Sequence, residues 1–210
     1  MKFCIMCGGV YEKFKTPKHL LEINGEKIVE RTIRLLKEAG AEKIYITSND
    51  SRFDGFGVPR LEHHNSFRHD ADGLKGYWLD AFYPFEQPVT YIFGDVYFTE
   101  DAIKTIVEHT EGNILFGSRL ALNTLGLNWG EPFAYVVNDV KTFFEGIQAV
   151  KRLQDEGKTD RMPIVWELYR YLNGYDVNVH KVDKNFKVID DMTNDIDSMD
   201  EYYKLKEAVE

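Results

Sequence analysis

Three ammonium groups fall close together near the amino terminus, on Lys13, Lys15 and Lys18. They follow Gly8-Gly9, which in turn follow the apolar run Phe3 to Cys7. Backbone without side chains lets N–H groups approach an anion closely, and cations just behind it add charge. Strand, bare backbone and lysines, in that order, suit a polyphosphate. The same order also describes a tight turn with solvated lysines. Acids stand far off in the chain. Asp95 comes directly after Gly94 at the end of the apolar run Val89 to Phe93, and Asp190, Asp191, Asp195 and Asp197 crowd the stretch before Ser198. An acid immediately after a buried strand is well placed at the edge where α/β sheets bind ligands.

The elements that would position these groups read as follows. Phe3 to Cys7 is short enough for one buried strand. Asn24-Gly25 is a strong turn signal. Beyond it Ile28, Thr32, Leu35, Leu36 and Ala39 recur at helical spacing, and Gly40 stands where a helix-ending glycine belongs. Lys43 to Thr47 is β-rich. Strand, loop, helix and strand make the unit of a parallel sheet. Ser51 to Asp72 reads as a long loop with a short strand, its histidines solvated or hydrogen-bonded rather than metal-bound. A helix is expected from Asp72, with Leu74, Trp78, Leu79 and Phe82 on one face. Val89 to Phe93 is a central strand, and Thr99 caps a helix. Asn113 to Gly117 and Glu131 to Val137 are strands, with a loop or hairpin between them from Leu120 to Gly130. Asp139 opens a helix, and Lys151 to Arg161 reads as its solvated end and a linker. Pro163 starts a helix through Tyr171, and Asp176 to Val182 alternates as a strand. Ser198-Met199-Asp200-Glu201 is a capping box for a last helix.

Bulk properties narrow the partners. A chain of 210 residues is the size of one domain, with Leu120 to Tyr175 as a subregion that could close over a substrate. The net charge of -9 disfavours nucleic acid and anionic membranes, so a polyphosphate ligand would need locally gathered cations or a metal ion. No run is long enough to cross a bilayer. The apolar run after Lys2 stops at Cys7, too short for a secretory leader, and the expected compartment is the cytoplasm. Cys4 and Cys7 lie in the first strand on opposite faces and read as buried thiols.

The chain resembles the MobA-like and sugar-phosphate nucleotidyltransferases. The resemblance rests on Met6-Cys7-Gly8-Gly9-Val10-Tyr11-Glu12-Lys13-Phe14 followed by Pro17-Lys18-His19-Leu20, on Gly94-Asp95, and on Asp197-Ser198-Met199-Asp200. It implies an α/β fold with three α/β/α layers around a Rossmann-like mixed sheet, of the type shared with GT-A glycosyltransferases. It implies transfer of a nucleotidyl group from an NTP, with CTP favoured over UTP or GTP, to a phosphorylated small-molecule acceptor. Asp95 and Asp197 would hold Mg2+, with Asp195 as the competitor to Asp197. Gly8, Gly9 and Cys7 would line the phosphates. Lys13 and Lys18 would carry the catalytic charge, and Lys15 reads as a surface residue. Asn65, Asp72 and Gly73 would lie by the base and ribose, and Arg119, Trp129 and Glu131 by the acceptor. A homodimer is a further expectation.

The chain departs from the family loop, Gly-x-Gly-Thr-Arg, by placing Tyr11, Glu12 and Lys13 at the matching positions. Lys13 keeps the charge but not the planar fork of arginine. A nucleotide-binding relative without turnover is therefore the alternative reading. A GT-A glycosyltransferase would carry Asp-x-Asp after the central strand, and Asp95-Val96-Tyr97 lacks the second acid.

Overall fold

The structure, a computed structural model, describes residues 1–8, 14, 16–64, 67–70, 73–118 and 130–210, with backbone alone for 67–70 and 73–76. The chain opens with β1 (Lys2–Met6), the hairpin β2 (Glu22–Ile23) and β3 (Glu26–Lys27), α1 (Ile28–Glu38) and β4 (Ile44–Thr47). Next come β5 (Arg60–Leu61), the hairpin β6 (Phe67–Asp70) and β7 (Gly73–Gly76), β8 (Val89–Phe93), β9 (Val96–Tyr97) and α2 (Glu100–Val107). Then follow β10 (Asn113–Gly117), β11 (Pro132–Val137), α3 (Val140–Asp155) and α4 (Val165–Leu172). The chain closes with β12 (Phe186–Val188), β13 (Asn194–Asp195) and α5 (Met199–Val209).

Seven strands form one sheet in the order β12-β10-β11-β8-β1-β4-β5. All its pairings are parallel except those of β11, which runs against both β8 and β10. Register places Tyr45, Cys4, Tyr91, Tyr135, Leu115 and Phe186 in one row across six strands, so these side chains share a face. Phe143 of α3 packs its ring 5.9 Å from Tyr91 and 5.1 Å from Tyr135. Trp166 and Tyr169 of α4 meet Phe186 at 5.8 and 6.1 Å. That face therefore belongs to α3 and α4. The next row, Ile46, Ile5, Ile92, Ala134 and Phe116, points the other way. There His109, just past α2, meets Phe116 at 5.6 Å, and α1 packs against α2. The three-layer mixed α/β sheet is thus as expected.

Local signals set most of these elements. Asn24 and Gly25 both take positive φ, 53° and 75°, as a tight hairpin turn requires. The Thr99 hydroxyl accepts the Ala102 N–H and Asp139 accepts the Thr142 N–H, fixing the starts of α2 and α3. Both thiols are fully buried, and burial pushes Cys4 up to about 12, so they pack rather than react.

Two expectations fail. The helix expected from Asp72 is instead β7, paired antiparallel to β6, followed by a 3-10 turn at Trp78–Ala81. Gly73 and Gly76 bound that segment, and glycine costs a helix more backbone entropy than it costs a hairpin end. Leu79 and Phe82 still reach the core. The strand expected over Asp176 to Val182 is instead a turn around Val177 and Asn178, closed by Val179 N–H to Asp176 O, followed by irregular chain. Val177 is buried but Val179 is 58% exposed, so the alternation has no single face to bury. The edge strand forms later, at β12, where Phe186 finds Trp166 and Tyr169.

Candidate active site

β1, β4 and β8 run side by side and end together at Met6, Thr47 and Phe93. At this carboxyl edge Gly94 continues β8 under severe constraint. A Cβ there would lie 2.5 Å from the Met6 carbonyl oxygen, 2.6 Å from the His19 ring and 2.8 Å from the Cys7 sulfur. Glycine is thus required by close approach, and it presses Asp95 against the turn that carries Lys18. That turn is short and well held. Pro17 precedes a 3-10 turn over Lys18–Leu20, closed by Leu20 N–H to Pro17 O at 2.9 Å and Leu21 N–H to Lys18 O at 3.0 Å. His19 is buried beneath it, edge-on to Phe53 at 5.5 Å. Burial lowers its pKa to about 4, so the ring stays neutral at pH 7.

The third participant arrives from the far end of the chain. Antiparallel pairing of β13 with β9 sets Asp195 opposite Val96, directly after Asp95. Thr99 and Thr193 lock this ribbon through Asp191, whose Oδ2 accepts the Thr99 hydroxyl at 2.6 Å and whose Oδ1 accepts the Thr193 N–H at 2.7 Å. A second apolar cluster of Ile23, Ile28, Tyr97, Ile196, Tyr202 and Leu205 clamps α5 onto the amino-terminal hairpin. The Ser198 hydroxyl accepts the Glu201 N–H, and the Glu201 carboxylate accepts the Asp197 N–H at 2.8 Å. The expected helix cap therefore also fixes the backbone of Asp197.

These elements bring Lys18 Nζ within 2.7 Å of Asp95 Oδ2 and 3.0 Å of Asp197 Oδ1. Lys18 is 15% exposed, Asp95 30% and Asp197 66%, so the cleft opens on the Asp197 side. Burial alone would lower the Lys18 pKa, but the charges of Asp95 and then Asp197 overturn it and raise it above the usual lysine range. Burial likewise opposes the Asp95 carboxylate, yet the charge and hydrogen bond of Lys18 hold its pKa below the usual range. Glu131 and Asp195 share the cleft. Burial, then the charge of Asp197, pushes Glu131 up to about 7. Burial, then the charge of Glu131, pushes Asp195 up as well. One ammonium thus faces Asp95, Asp197, Glu131 and Asp195 among the described residues, a site with more negative charge than it neutralises.

The structure brings Lys18, Asp95 and Asp197 together, and Glu131, expected by the acceptor, lies within reach of their charges. Asp195, the competitor to Asp197, is also present, but it is Asp197 that reaches Lys18. Gly8 leads off β1 with open space where a Cβ would project. Cys7 lies buried under the cleft, its N–H donating to Thr47 O at 2.9 Å. Gly73 opens β7 opposite Asp70, and no described contact joins it to Lys18. Gly9, Lys13, Lys15, Asn65, Asp72, Arg119 and Trp129 lie outside the described residues. His19 and Gly94 stand in the motifs quoted from the sequence, but the sequence reading gave neither the burial nor the close approach found here. His63 meets Asp80 O and His64 meets Glu62, as hydrogen-bonded histidines should. Among the described residues no three His, Cys, Asp or Glu side chains form a metal-holding cage. No helix among them is long and apolar enough to cross a membrane.

The comparisons with known proteins fit this geometry. Residues 3–161 match the MobA-like NTP transferase domain, and the chain belongs to that family. No curated protein sequence matches it. Its backbone is similar to CTP:phosphocholine cytidylyltransferase from Streptococcus pneumoniae, at 16% identity and a TM-score of 0.58, over 100% of this chain and 99% of that one. A Bacillus anthracis protein assigned as a glucose-1-phosphate thymidylyltransferase is similar at 18% identity and a TM-score of 0.58, over 99% and 94% of the two chains. At such identities the likeness concerns the fold.

Proposed function

We propose that this member of the family transfers a nucleotidyl group from an NTP to a phosphorylated small-molecule acceptor and releases pyrophosphate. The convergence of Lys18 with Asp95 and Asp197 at the sheet's carboxyl edge carries the reading. An acceptor phosphate oxygen attacks the α-phosphorus. A new phosphorus–oxygen bond forms as the bond to the bridging oxygen breaks, and the electron pair leaves with pyrophosphate. The acceptor phosphate is already ionised near neutral pH, so no general base is needed. The site must instead align the reactants and neutralise charge.

Lys18 would donate to the α-phosphate and the bridging oxygen. Gly8 and Gly9 would offer backbone N–H groups to the phosphates, with Cys7 beneath them, and Lys13 would reach the β- and γ-phosphates. Asn65, Asp72 and Gly73 would border the nucleoside. Arg119, Trp129 and Glu131 would border the acceptor. Asp95 and Asp197 would hold Mg2+. Their oxygens converge on one cation already, and Glu131 and Asp195, raised first by burial and then by the neighbouring carboxylates, add to the acids around it. Magnesium needs one or two carboxylates and completes its shell with phosphate and water. When bound it supplies charge neutralisation for the triphosphate.

CTP is the first nucleotide to try, since one structural relative is a CTP enzyme. The test is incubation with each of the four NTPs, Mg2+ and a panel of phosphorylated sugars and alcohols, read as pyrophosphate release. Turnover with at least one pair is expected. Nucleotide binding without turnover across the panel would replace this reading with that of a non-catalytic nucleotide-binding protein.

A further inference from the structure

A separate cavity of about 200 Å³ lies beside α4, lined by Arg161, Trp166, Glu167, Arg170 and His180, with Asp160 and Asn178 at its rim. Its charged groups are arranged unusually. Both Arg161 Nε, at 2.9 Å, and Arg170 Nη2 donate to the same oxygen of Glu167. The other Glu167 oxygen accepts the Ile164 N–H at 2.9 Å. The carboxylate therefore has partners on both oxygens, while each guanidinium keeps further donors. Arg170 is only 5% exposed, and its Nε–H has no acceptor among the described residues. That Nε is itself sealed from the surface, so an outside acceptor would be met by the guanidinium N–H groups of Arg161 and Arg170 that Glu167 does not engage.

The surroundings agree. The rings of Trp166 and His180 meet edge-on at 5.6 Å and wall the cavity. Burial lowers the His180 pKa, and the charges of Arg170 and Arg161 lower it further, so the local potential is positive. The negative groups nearby are Glu167, already engaged, Asp160 at the rim, Asp176 acting on Arg170, and Asp183 on the adjoining cavity, which is paired with Tyr175 and Lys181. The rim is fixed, since Asn178 accepts the Asp160 N–H at 2.9 Å and donates to Lys158 O at 3.0 Å. A second cavity, of about 460 Å³, shares Trp166 and His180 and continues past Phe186 and Val188 to Ser118 and Gly130. The Ser118 hydroxyl accepts the Glu131 N–H at 2.8 Å, so this trough ends beside the Lys18 cleft.

We propose that the α4 cavity binds an oxyanion, a carboxylate or a phosphate, held by Arg161 and Arg170 against the Trp166 and His180 rings. The anion is either the far end of an acceptor lying along the trough or a separate small molecule. The first assignment rests on the transferase reading; the site itself does not.

The protein is titrated with inorganic phosphate while the His180 ring resonances are followed by NMR. A local reporter is needed because phosphate also suits the Lys18 cleft. The expected result is a saturable shift of the His180 signals with a rise in its pKa. In Arg161→Gln, whose side chain is half exposed and so dispensable for folding, affinity should fall about tenfold. No saturable shift, or an unchanged shift in Arg161→Gln, overturns the site. A second arm compares acceptors with one and with two anionic ends in the pyrophosphate assay. A KM increase in Arg161→Gln confined to two-ended acceptors assigns the site to the acceptor. An equal effect on both kinds, alongside intact phosphate binding in the wild type, assigns it to a separate anion. If no acceptor turns over, the transferase reading fails and the phosphate titration still decides the site.

Discussion

The Lys18 cleft and the α4 cavity are built with opposite charge balance. In the cleft one ammonium stands between Asp95 and Asp197, with Glu131 and Asp195 close by. In the cavity one carboxylate stands between Arg161 and Arg170. Each has an internal ion pair that keeps its charges tolerable. The negative charge of the cleft would suit the cation proposed for it, and the guanidinium N–H groups left free in the cavity would suit the proposed anion. Ion pairs here act less as struts than as placeholders whose sign matches the chemistry of the incoming ligand. The two also differ in depth. Asp197 is two-thirds exposed, whereas Glu167 and Arg170 are almost completely buried. Breaking the first should therefore hurt activity, and breaking the second should hurt folding.

The largest expected effect is on activity. Asp95→Asn should lower pyrophosphate release by on the order of 10²–10³ while leaving the melting transition nearly unchanged. Collapse of the fold instead would remove the contrast between the two regions. Next is Arg170→Met, which strands the Glu167 carboxylate in the interior and should cost about 3–5 kcal/mol in urea unfolding. Arg161→Gln, on the exposed side of the same carboxylate, should cost about 1 kcal/mol or less. Equal costs would show that burial does not separate them.

A smaller effect concerns pH. Glu131 has a folded pKa near 7 against an ordinary 4.5, so the native protein holds a proton that the unfolded chain has already lost between those values. Stability should fall as pH rises through that window, and Glu131→Gln should lessen the fall, leaving the part that the raised Asp195 contributes, as thermal melts at pH 5 and pH 8 would reveal. Added Mg2+ should restore more stability to the wild type at pH 8 than at pH 5. Ser198→Ala should cost about 1 kcal/mol from the lost helix cap. Because the same turn fixes Asp197, the substitution should also weaken Mg2+ dependence in the turnover assay. A change in stability alone would confine Ser198 to capping.

Much of this was legible from local signals. The apolar runs Val89 to Phe93 and Asn113 to Gly117 are strands with the expected bounds, because a run that short and that apolar has no stable place except inside a sheet. Thr99, Asp139 and Ser198 cap the helices they precede, because a side-chain oxygen and an N–H three residues on need nothing from the rest of the fold. Lys18 and Asp95 could be singled out because each follows a strand that had to end at the ligand edge. Where local signals conflicted, they misled: helical spacing from Leu74 to Phe82 competed with Gly73 and Gly76, and the glycines' hairpin prevailed.

The charge-rich stretches show the boundary most clearly. Lys151 to Arg161 reads as a solvated helix end, yet Arg161 closes over a carboxylate buried in the first turn of α4. Nothing local distinguishes a charge bound for solvent from one bound for a cavity, since that depends on which helix the sheet receives beside it. Asp197 differs: the resemblance favours it over Asp195 because it directly precedes the capping Ser198, and the pairing of β13 with β9 and the α5 clamp are what carry it to Lys18. The sequence by itself determined the strands, the caps and the chemical groups available. The tertiary structure decided which of those groups meet, because ion pairs between residues as distant as Lys18 and Asp197 exist only after the sheet and the α5 clamp have formed.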